Sequence, residues 1–223
     1  MNRILSIAVA ASALLLSACA GSKVPTTQAI VDEARATVEA LKTQDHYPKF
    51  SDALAQAKGV AIFPNLYKGA FFFGAEGGNG VVLVRDASGA WSYPAFYSIA
   101  AGSFGLQFGG QKARSVLIMR SDRAVKAVID HQAKFGADVG IAVATVGAGV
   151  EGATTTNAGP DILAFNDAMG LYGGVSLEGS GLVRRNDFNQ DYYGQPSEYN
   201  DILFNRARSA AKADALRTAL DAR

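Results

Sequence analysis

The sequence is poor in the residues from which metal centres and catalytic sites are most often built. Its 223 residues include one cysteine and two histidines, His46 and His131. A single thiol allows no intramolecular disulfide. No HExxH motif or Cys/His cluster supplies zinc ligands. We therefore expect no metal, no cofactor and no catalytic residues. An enzyme would need Asp, Glu and one histidine to converge in a pocket that a sequence cannot show.

The sequence also lacks an apolar run long enough to cross a bilayer, which takes about 20 residues. The longest such run, residues 4–16, follows the basic Arg3 and is typical of a secretory signal peptide. Residues 16–19 (LSAC) resemble the lipobox of bacterial lipoproteins, whose cysteine is acylated. We expect cleavage after residue 18, a lipid anchor on Cys19 and a tether over residues 19–26. An ordinary signal peptide with a chance cysteine is the alternative.

By the same resemblance, Ala20 after the cysteine favours sorting to the outer membrane, facing the periplasm. Two or three acyl chains, such as palmitate, anchor a protein stably, whereas one chain binds only marginally. We expect residues 27–223 to form a single domain outside the cytoplasm.

An excess of charge is missing as well. Removing residues 1–18 removes Arg3 alone, which leaves 20 basic and 20 acidic residues. A neutral chain has little bulk attraction to nucleic acid, so we expect no nucleic-acid partner. Residues 112–134 differ, because they hold six basic and two acidic residues. A locally basic segment can favour anionic lipid head groups.

Glycine is abundant, and its position indicates the fold class. Of 24 glycines, 22 lie from Gly59 to Gly181. Glycine in strands suits sharp bends or the close approach of a ligand or another backbone. We predict an α+β fold in which a strongly curved, Gly-rich antiparallel sheet or partial barrel packs against N-terminal, middle and C-terminal helices. A transmembrane barrel would need many more alternating spans than the sequence has.

Apolar periodicity and turn residues predict the individual elements. Helices are predicted at 27–43 and 50–57, at 121–134 with Ser121 as N-cap, and from Tyr199 onward. The predicted strands are 60–63 (ended by Pro64), 70–75, 81–85, 90–93, 101–108, 115–119, 139–150 and 170–183. Turns are predicted at 77–80 and 86–89.

Three segments imitate known sites. Residues 147–152 (GAGVEG) match a dinucleotide fingerprint, but no helix pattern follows to bind a phosphate. Residues 174–178 (GVSLE) place glutamate where a nucleophile elbow needs glycine. Asp187, Asn189, Asp191 and Glu198 have the spacing of a calcium loop, yet Tyr192 replaces its turning glycine. We interpret this last segment as a solvated polar loop, with cation binding left open.

Several blocks, in order, resemble the SYLF domain family. They begin with KGVAIF at 58–63 and continue through KGAFFFGAEGGNGVVLVRDASGAWSYPAFYSIAAGSFGLQFGGQ at 68–111 and LIM at 117–119. KFGAD at 134–138, GLYGGVSLEG at 170–179, DYYG at 191–194 and ILF at 202–204 follow. The resemblance implies a non-enzymatic domain that binds phosphoinositides and related lipids. Eukaryotic members regulate actin; an exported protein would not meet actin, so we do not expect it as a partner.

The resemblance and the local charge together suggest an acidic phospholipid as the partner. Two sets of residues are candidates: a basic set for head groups and an apolar wedge flanked by glycines. They are Lys112, Arg114, Arg120, Arg123 and Lys126, and Phe71, Phe72 and Phe73. The alternatives are a solvated helix face for the charges and ordinary core packing for the phenylalanines. The alternative function is a structural module that contacts envelope proteins or peptidoglycan and is held by its anchor alone.

Overall fold

Helices surround a large central sheet in the computed structural model. It describes residues 26–45, 47–70, 73–104, 109–130, 143–147, 150–151, 161–169 and 181–221. The helices are α1 (Thr27–Thr43), α2 (Phe50–Ala55), α3 (Asp122–Asp130), α4 (Asn186–Tyr193), α5 (Tyr199–Leu203) and α6 (Asp214–Asp221), with a 3₁₀ turn at Ala211–Ala213. The strands are β1 (Gly59–Ala70), β2 (Phe73–Val84), β3 (Ala95–Phe104), β4 (Gly109–Met119), β5 (Val143–Gly147), β6 (Val150–Glu151), β7 (Ile162–Met169) and β8 (Gly181–Arg184).

Within the described residues the strands form one sheet in the order β6-β5-β7-β4-β1-β2-β3-β8. The α+β class and the N-terminal, middle and C-terminal helices are confirmed. Across these residues the sheet stays open, with β6 and β8 at its edges. The strands pair antiparallel with one exception among the described pairs, because β5 and β7 run parallel. A parallel pair needs a connection longer than a hairpin turn, and 14 residues separate Gly147 from Ile162 in the sequence.

Each face of the sheet is covered by its own helices. Helices α1, α2, α4 and α6 pack on one face, called here the α1 face, around Phe165 and Trp91. Helices α3 and α5 pack on the other face around Phe63 and Tyr97. Alternation along each strand supplies both cores, because successive side chains point to opposite faces.

Two predicted helix starts are confirmed. The Thr26 hydroxyl accepts from the Ala29 amide at the start of α1. Ser121 caps α3 in the same way, accepting from Ala124 at 3.1 Å. These side chains satisfy amide groups that have no partner within the helix.

The predicted end of the first strand at Pro64 is wrong, because β1 continues to Ala70. Proline has no N–H and cannot join a regular ladder. The register of β1 shifts between Phe63 and Leu66 against β4, and between Ile62 and Tyr67 against β2. The proline therefore lies in an irregularity, where a missing donor disrupts little pairing.

The predicted turn at residues 77–80 is also wrong, because these residues lie inside β2. Two of its glycines, Gly78 and Gly80, serve close packing against β1. A Cβ on Gly78 would lie 2.1 Å from the carbonyl oxygen of Asn65, and one on Gly80 would lie 2.2 Å from that of Ile62. Only glycine allows the two backbones to approach so closely at the irregularity.

Tertiary contacts also change two predicted elements near the C-terminal helices. The strand expected at 90–93 is reduced to a single bridge between Arg85 and Trp91. The helix expected from Tyr199 ends at Leu203, before Arg206 adopts a left-handed φ of 54°. Arg206 donates to the Ala90 carbonyl and pairs with Asp86. These contacts hold the chain away from the helical path until α6 begins.

Candidate functional site

The predicted basic residues do not form one surface. Lys112 lies near the start of β4 and Arg120 follows its end. Eight residues of extended strand separate their backbones by about 26 Å. The sequence placed them in one segment, but the strand carries them to opposite ends of the sheet.

Arg114 takes part in packing. It forms an ion pair with Asp167 on β7, and Gln44 also donates to Asp167 at 3.2 Å. Nearby, Ser115 donates to Asn166 at 2.6 Å, and the Tyr47 hydroxyl donates to the Asn166 carbonyl. This network ties the end of α1 to β4 and β7, so the Arg114 charge is committed within the fold.

Arg120, Arg123 and Lys126 are exposed around α3. The buried residues of this helix are Ala124, Val125, Ala127, Val128 and Ile129. Charges outside and apolar residues inside give the amphipathic pattern of an ordinary surface helix. This pattern fits the alternative given above for the basic residues, an ordinary solvent-facing helix surface.

Lys112 has an aromatic neighbour that the sequence did not single out. Tyr67 on β1 is its direct cross-strand partner, and the lysine Nζ lies 5.9 Å from the centroid of the tyrosine ring. Tyr67 is 59% exposed, the largest value among the large hydrophobic residues described as exposed. The sequence does show a tyrosine three residues after Pro64. Its position beside Lys112 could be predicted only by knowing that β1 continues past the proline.

The ends of four central strands lie beyond this pair. Ala70 of β1 pairs with Gly109 of β4, and Phe73 of β2 pairs with Phe104 of β3. We call Tyr67, Lys112 and these four strand ends the sheet tip. Phe73 begins β2; Phe71 and Phe72 lie outside the described residues, as do Cys19, His46 and His131. The proposed apolar wedge thus stays a prediction.

The calcium-loop pattern falls on helical structure instead of a polar loop. Asp187, Asn189 and Asp191 lie on α4, and Glu198 lies at the start of α5. The described partners of the four residues differ: Arg185, the Phe96 amide, Thr27 and Asn186, respectively. On α4, Asp187 and Asp191 are four residues apart and share a face, whereas Asn189 lies on the other side of the helix, so the set does not surround a common point.

Other polar groups of the described core serve packing. Burial raises the pKa values of the Tyr192 and Tyr193 hydroxyls well above the ordinary value. Tyr193 donates to the Pro94 carbonyl at 2.8 Å. Among the described residues no group of three or more His, Cys, Asp or Glu is placed to hold a metal, and no helix is long and apolar enough to span a bilayer.

Comparison with known proteins identifies similar chains. A family model named Ysc84, described as Las17-binding protein actin regulator, matches residues 100–223. SH3 domain-containing YSC84-like protein 1 of Bos taurus and that of Homo sapiens are each 34% identical over 169 residues, covering 75% of this chain and 49% of theirs. LAS seventeen-binding protein 3 of Saccharomyces cerevisiae (strain ATCC 204508 / S288c) is 31% identical over 175 residues, covering 77% of this chain and 38% of its own. No solved structure matches.

The chain spans about half the length, or less, of these curated relatives. The family description names actin regulation, and the yeast relative is named for binding Las17. These names give no support to the expectation that actin is not a partner. The family model covers more than half of the chain, and the SYLF resemblance is confirmed. This chain belongs to the Ysc84, or SYLF, family.

Proposed function

We propose that this protein binds acidic phospholipid membranes through the sheet tip and performs no chemistry. The observation that carries the proposal is the exposed Tyr67 directly opposite Lys112 at one end of the sheet. A tyrosine offers an apolar ring with a polar tip, which suits the boundary between lipid and water. A lysine beside it adds about 1 kcal/mol of attraction to an anionic surface.

The charge distribution predicts weak, salt-sensitive binding by the domain. Arg114 is paired with Asp167, and Arg120, Arg123 and Lys126 lie toward the opposite end of the sheet. Lys112 is therefore the cation of the predicted set that stands beside the exposed ring. One surface charge is screened over about 8 Å at physiological salt. We propose that acyl chains on Cys19 supply stable attachment, with the outer membrane as the site.

The membrane test uses the full chain carrying Cys19→Ser, so that no acyl group contributes. It is mixed with vesicles of phosphatidylcholine alone or with 30% phosphatidylglycerol, and the bound fraction is measured by co-sedimentation. We expect stronger binding to the anionic vesicles, and a loss of about fivefold with Lys112→Ala, the order expected from 1 kcal/mol. Tyr67→Ala should also weaken binding.

Matched controls lie away from the tip. Phe204→Ala removes another exposed aromatic ring, 44% exposed at the end of α5, and Lys126→Ala removes a cation on α3. Neither change should alter vesicle binding. Equal binding to neutral and anionic vesicles would refute the proposal, as would equal losses in the controls and the tip variants.

The proposed anchor is tested by the intact mass of the protein extracted from membranes. Each buried methylene contributes about 0.8 kcal/mol, so two or three long chains outweigh a weak head-group contact. The mature chain should begin at Cys19 and carry acyl groups. Cys19→Ser removes the sulfur needed for acylation, so we expect unprocessed precursor or released protein. A different first residue, or an unmodified Cys19, would contradict the anchor.

A second function rests on the comparisons. The family description and the yeast relative's name point to protein partners, so the domain would act as an interaction module held in place by its anchor. Cross-linking in cells followed by mass spectrometry would identify such partners, and co-sedimentation with filamentous actin tests actin directly. Recovery of lipid without any protein partner would count against this function.

A further inference from the structure

A row of residues crosses five strands on the α1 face. The strand register places Lys112, Tyr67, Gly77, Ala100 and Gly181 opposite one another, from β4 to β8. The first two residues are large, and none of the last three has a side chain larger than a methyl group. We call these last three residues the floor. Neighbouring strands are about 4.8 Å apart, so the floor extends for roughly 10 Å.

The space above the floor is open. A Cβ on Gly77 would meet no atom closer than the Ile99 carbonyl oxygen at 3.4 Å, and one on Gly181 would meet nothing within 4 Å. Ala100, between them, is exposed. Strand glycines occur where a ligand or another backbone comes close, and the open space above these two fits that role.

Helix α1 runs across the strands alongside this row. At its start Thr27 donates to Asp191 of α4, which follows β8, and at its end Gln44 donates to Asp167 of β7. Five strand spacings separate β7 from β8, a distance of about 24 Å. A helix of 17 residues is about 25 Å long. The helix and the floor therefore lie in the same direction across the sheet.

The two flanks of α1 differ. On one flank Gln28 and Lys42 donate to backbone carbonyls of the 3₁₀ turn and α6, so those elements cover it. The other flank faces the sheet tip, because Glu33 accepts from Asn65, which precedes Tyr67 on β1. Three residues at helical spacing from Glu33 are small and at least partly exposed. They are Ala29, Ala36 and Ala40.

The floor and the tip-facing flank of α1 form a groove of the size of a helix. Packed helices lie about 8–10 Å apart, and the distance depends on the side chains at the contact. Small residues on the floor and on the α1 flank leave room for a neighbour at this distance. A helix rises about 1.5 Å per residue, so about two turns cover the floor.

The two ends of the groove carry opposite charges. The Lys112 ammonium contacts the Tyr67 ring and no described carboxylate. Asp187, just after β8, is 62% exposed, and hydrogen bonding from Arg185 holds its pKa below the usual value. A helix is partly positive at its N-terminus and partly negative at its C-terminus. A helix that begins near Asp187 and ends near Lys112 therefore matches both charges.

We propose that this groove binds a helix of a protein partner, apolar on the side that faces the floor and acidic at its C-terminal end. The inference rests on the second function given above and deepens it, because it names the kind of partner. Side chains of the partner helix fill the space that Gly77, Ala100 and Gly181 leave open. The acidic end of the partner pairs with Lys112.

The test is photo-cross-linking in cells that produce the full chain. The photoreactive residue p-benzoyl-phenylalanine replaces Tyr67 at one end of the groove or Ala36 on its α1 wall. Mass spectrometry identifies the captured protein and the captured residues. We expect both positions to capture the same protein, at residues three, four or seven apart in its sequence, the spacing of one helix face.

Matched variants show whether the groove makes the contact. Gly77→Val raises the floor and should lower the captured fraction by about fivefold or more, as the loss of a central interface contact does. Lys112→Glu should also lower it, whereas Lys126→Glu, the same change of charge on α3, should not. The photoreactive residue at Phe204, exposed at the end of α5, should not capture this protein. Thermal unfolding verifies that every variant is folded.

The outcomes separate this inference from the second function. Capture that Gly77→Val leaves unchanged, or captured residues spaced as in a strand, would overturn the groove while the interaction function stands. Capture at Phe204 without capture at Tyr67 and Ala36 would do the same. Cross-links to lipid alone, at every position, would overturn the groove together with the interaction function.

Discussion

The two ends of the α1 face use the same strands in opposite ways. At one end the strands carry large apolar side chains that are completely buried beneath helices. These are Val60, Ile62, Val81, Leu83, Val116 and Ile118. Toward the tip, the same face presents Tyr67 and Lys112 in exposed positions beside Gly77, Ala100 and Gly181.

The two ends therefore contribute differently to the stability of the fold. The buried end gains stability from each apolar side chain, at about 1.5–3 kcal/mol for full burial. Tyr67 and Lys112 gain little in this way, because both are exposed. Substitutions of Tyr67 and Lys112 should therefore change membrane binding more than they change the free energy of unfolding.

The largest expected effect is at the buried end. Phe165 is fully buried and makes edge contacts with Phe50 and Tyr47, with ring centroids 5.0 and 6.0 Å away. Phe165→Ala should lower the free energy of unfolding by about 3–5 kcal/mol, through lost burial and the cavity left behind. Tyr67→Ala should change it by less than about 0.5 kcal/mol. Chemical denaturation measures the free energy of unfolding of both variants. Equal losses would contradict the proposed difference between the buried end and the tip.

A smaller loss of stability is expected at Gly80, which lies between the buried end and the tip. A Cβ on Gly80 would lie 2.2 Å from the Ile62 carbonyl oxygen and 2.5 Å from a ring carbon of Phe63. Gly80→Ala should cost about 1–3 kcal/mol, the range for overpacking. Tm should fall by roughly 2–4 °C for each kcal/mol in a domain of this size. An unchanged Tm would show that β1 and β2 can separate at the irregularity without loss.

The smallest effect on stability, and the one of opposite sign, is expected at Gly77 of β2. A Cβ on Gly77 would meet no atom closer than the Ile99 carbonyl oxygen at 3.4 Å. The free energy of unfolding of Gly77→Ala should therefore stay the same or rise by up to about 0.5–1 kcal/mol. The comparison with Gly80, three residues along the same strand, uses the same substitution in both places. A destabilisation of Gly77→Ala as large as that of Gly80→Ala would show that the space above Gly77 is occupied.

Helices α1, α2 and α3 could be predicted because their signals are local. The spacing of Ile30, Ala34 and Leu41 places one face of α1 in the core, and Thr26 and Ser121 cap helices as short polar residues do. The strand limits were less predictable. Proline and clustered glycines usually interrupt strands, but here a register shift accommodates Pro64, and the neighbouring backbone of β1 requires glycine at positions 78 and 80.

The candidate site shows the same division. Lys112 was recognisable as a basic residue in a basic segment, but the segment did not show that Arg114 would be paired with Asp167, which lies 53 positions away in the chain. Nor did it show that Tyr67 would stand beside Lys112. Contacts between strands depend on register, and the register of β1 depends on an irregularity that local patterns do not reveal.

The sequence by itself determined the family, the α+β class, helices α1 to α3 and the near-neutral overall charge of +1, because composition, periodicity and ordered blocks of residues are properties of the chain. The tertiary structure decided which charges act together. It divided the basic segment between the two ends of β4, committed Arg114 to an ion pair and brought Tyr67, Lys112, Gly77 and Asn79 to one region of the α1 face. A surface of this kind is created by strand pairing over long sequence separations, and pairing is settled only when the whole sheet is buried.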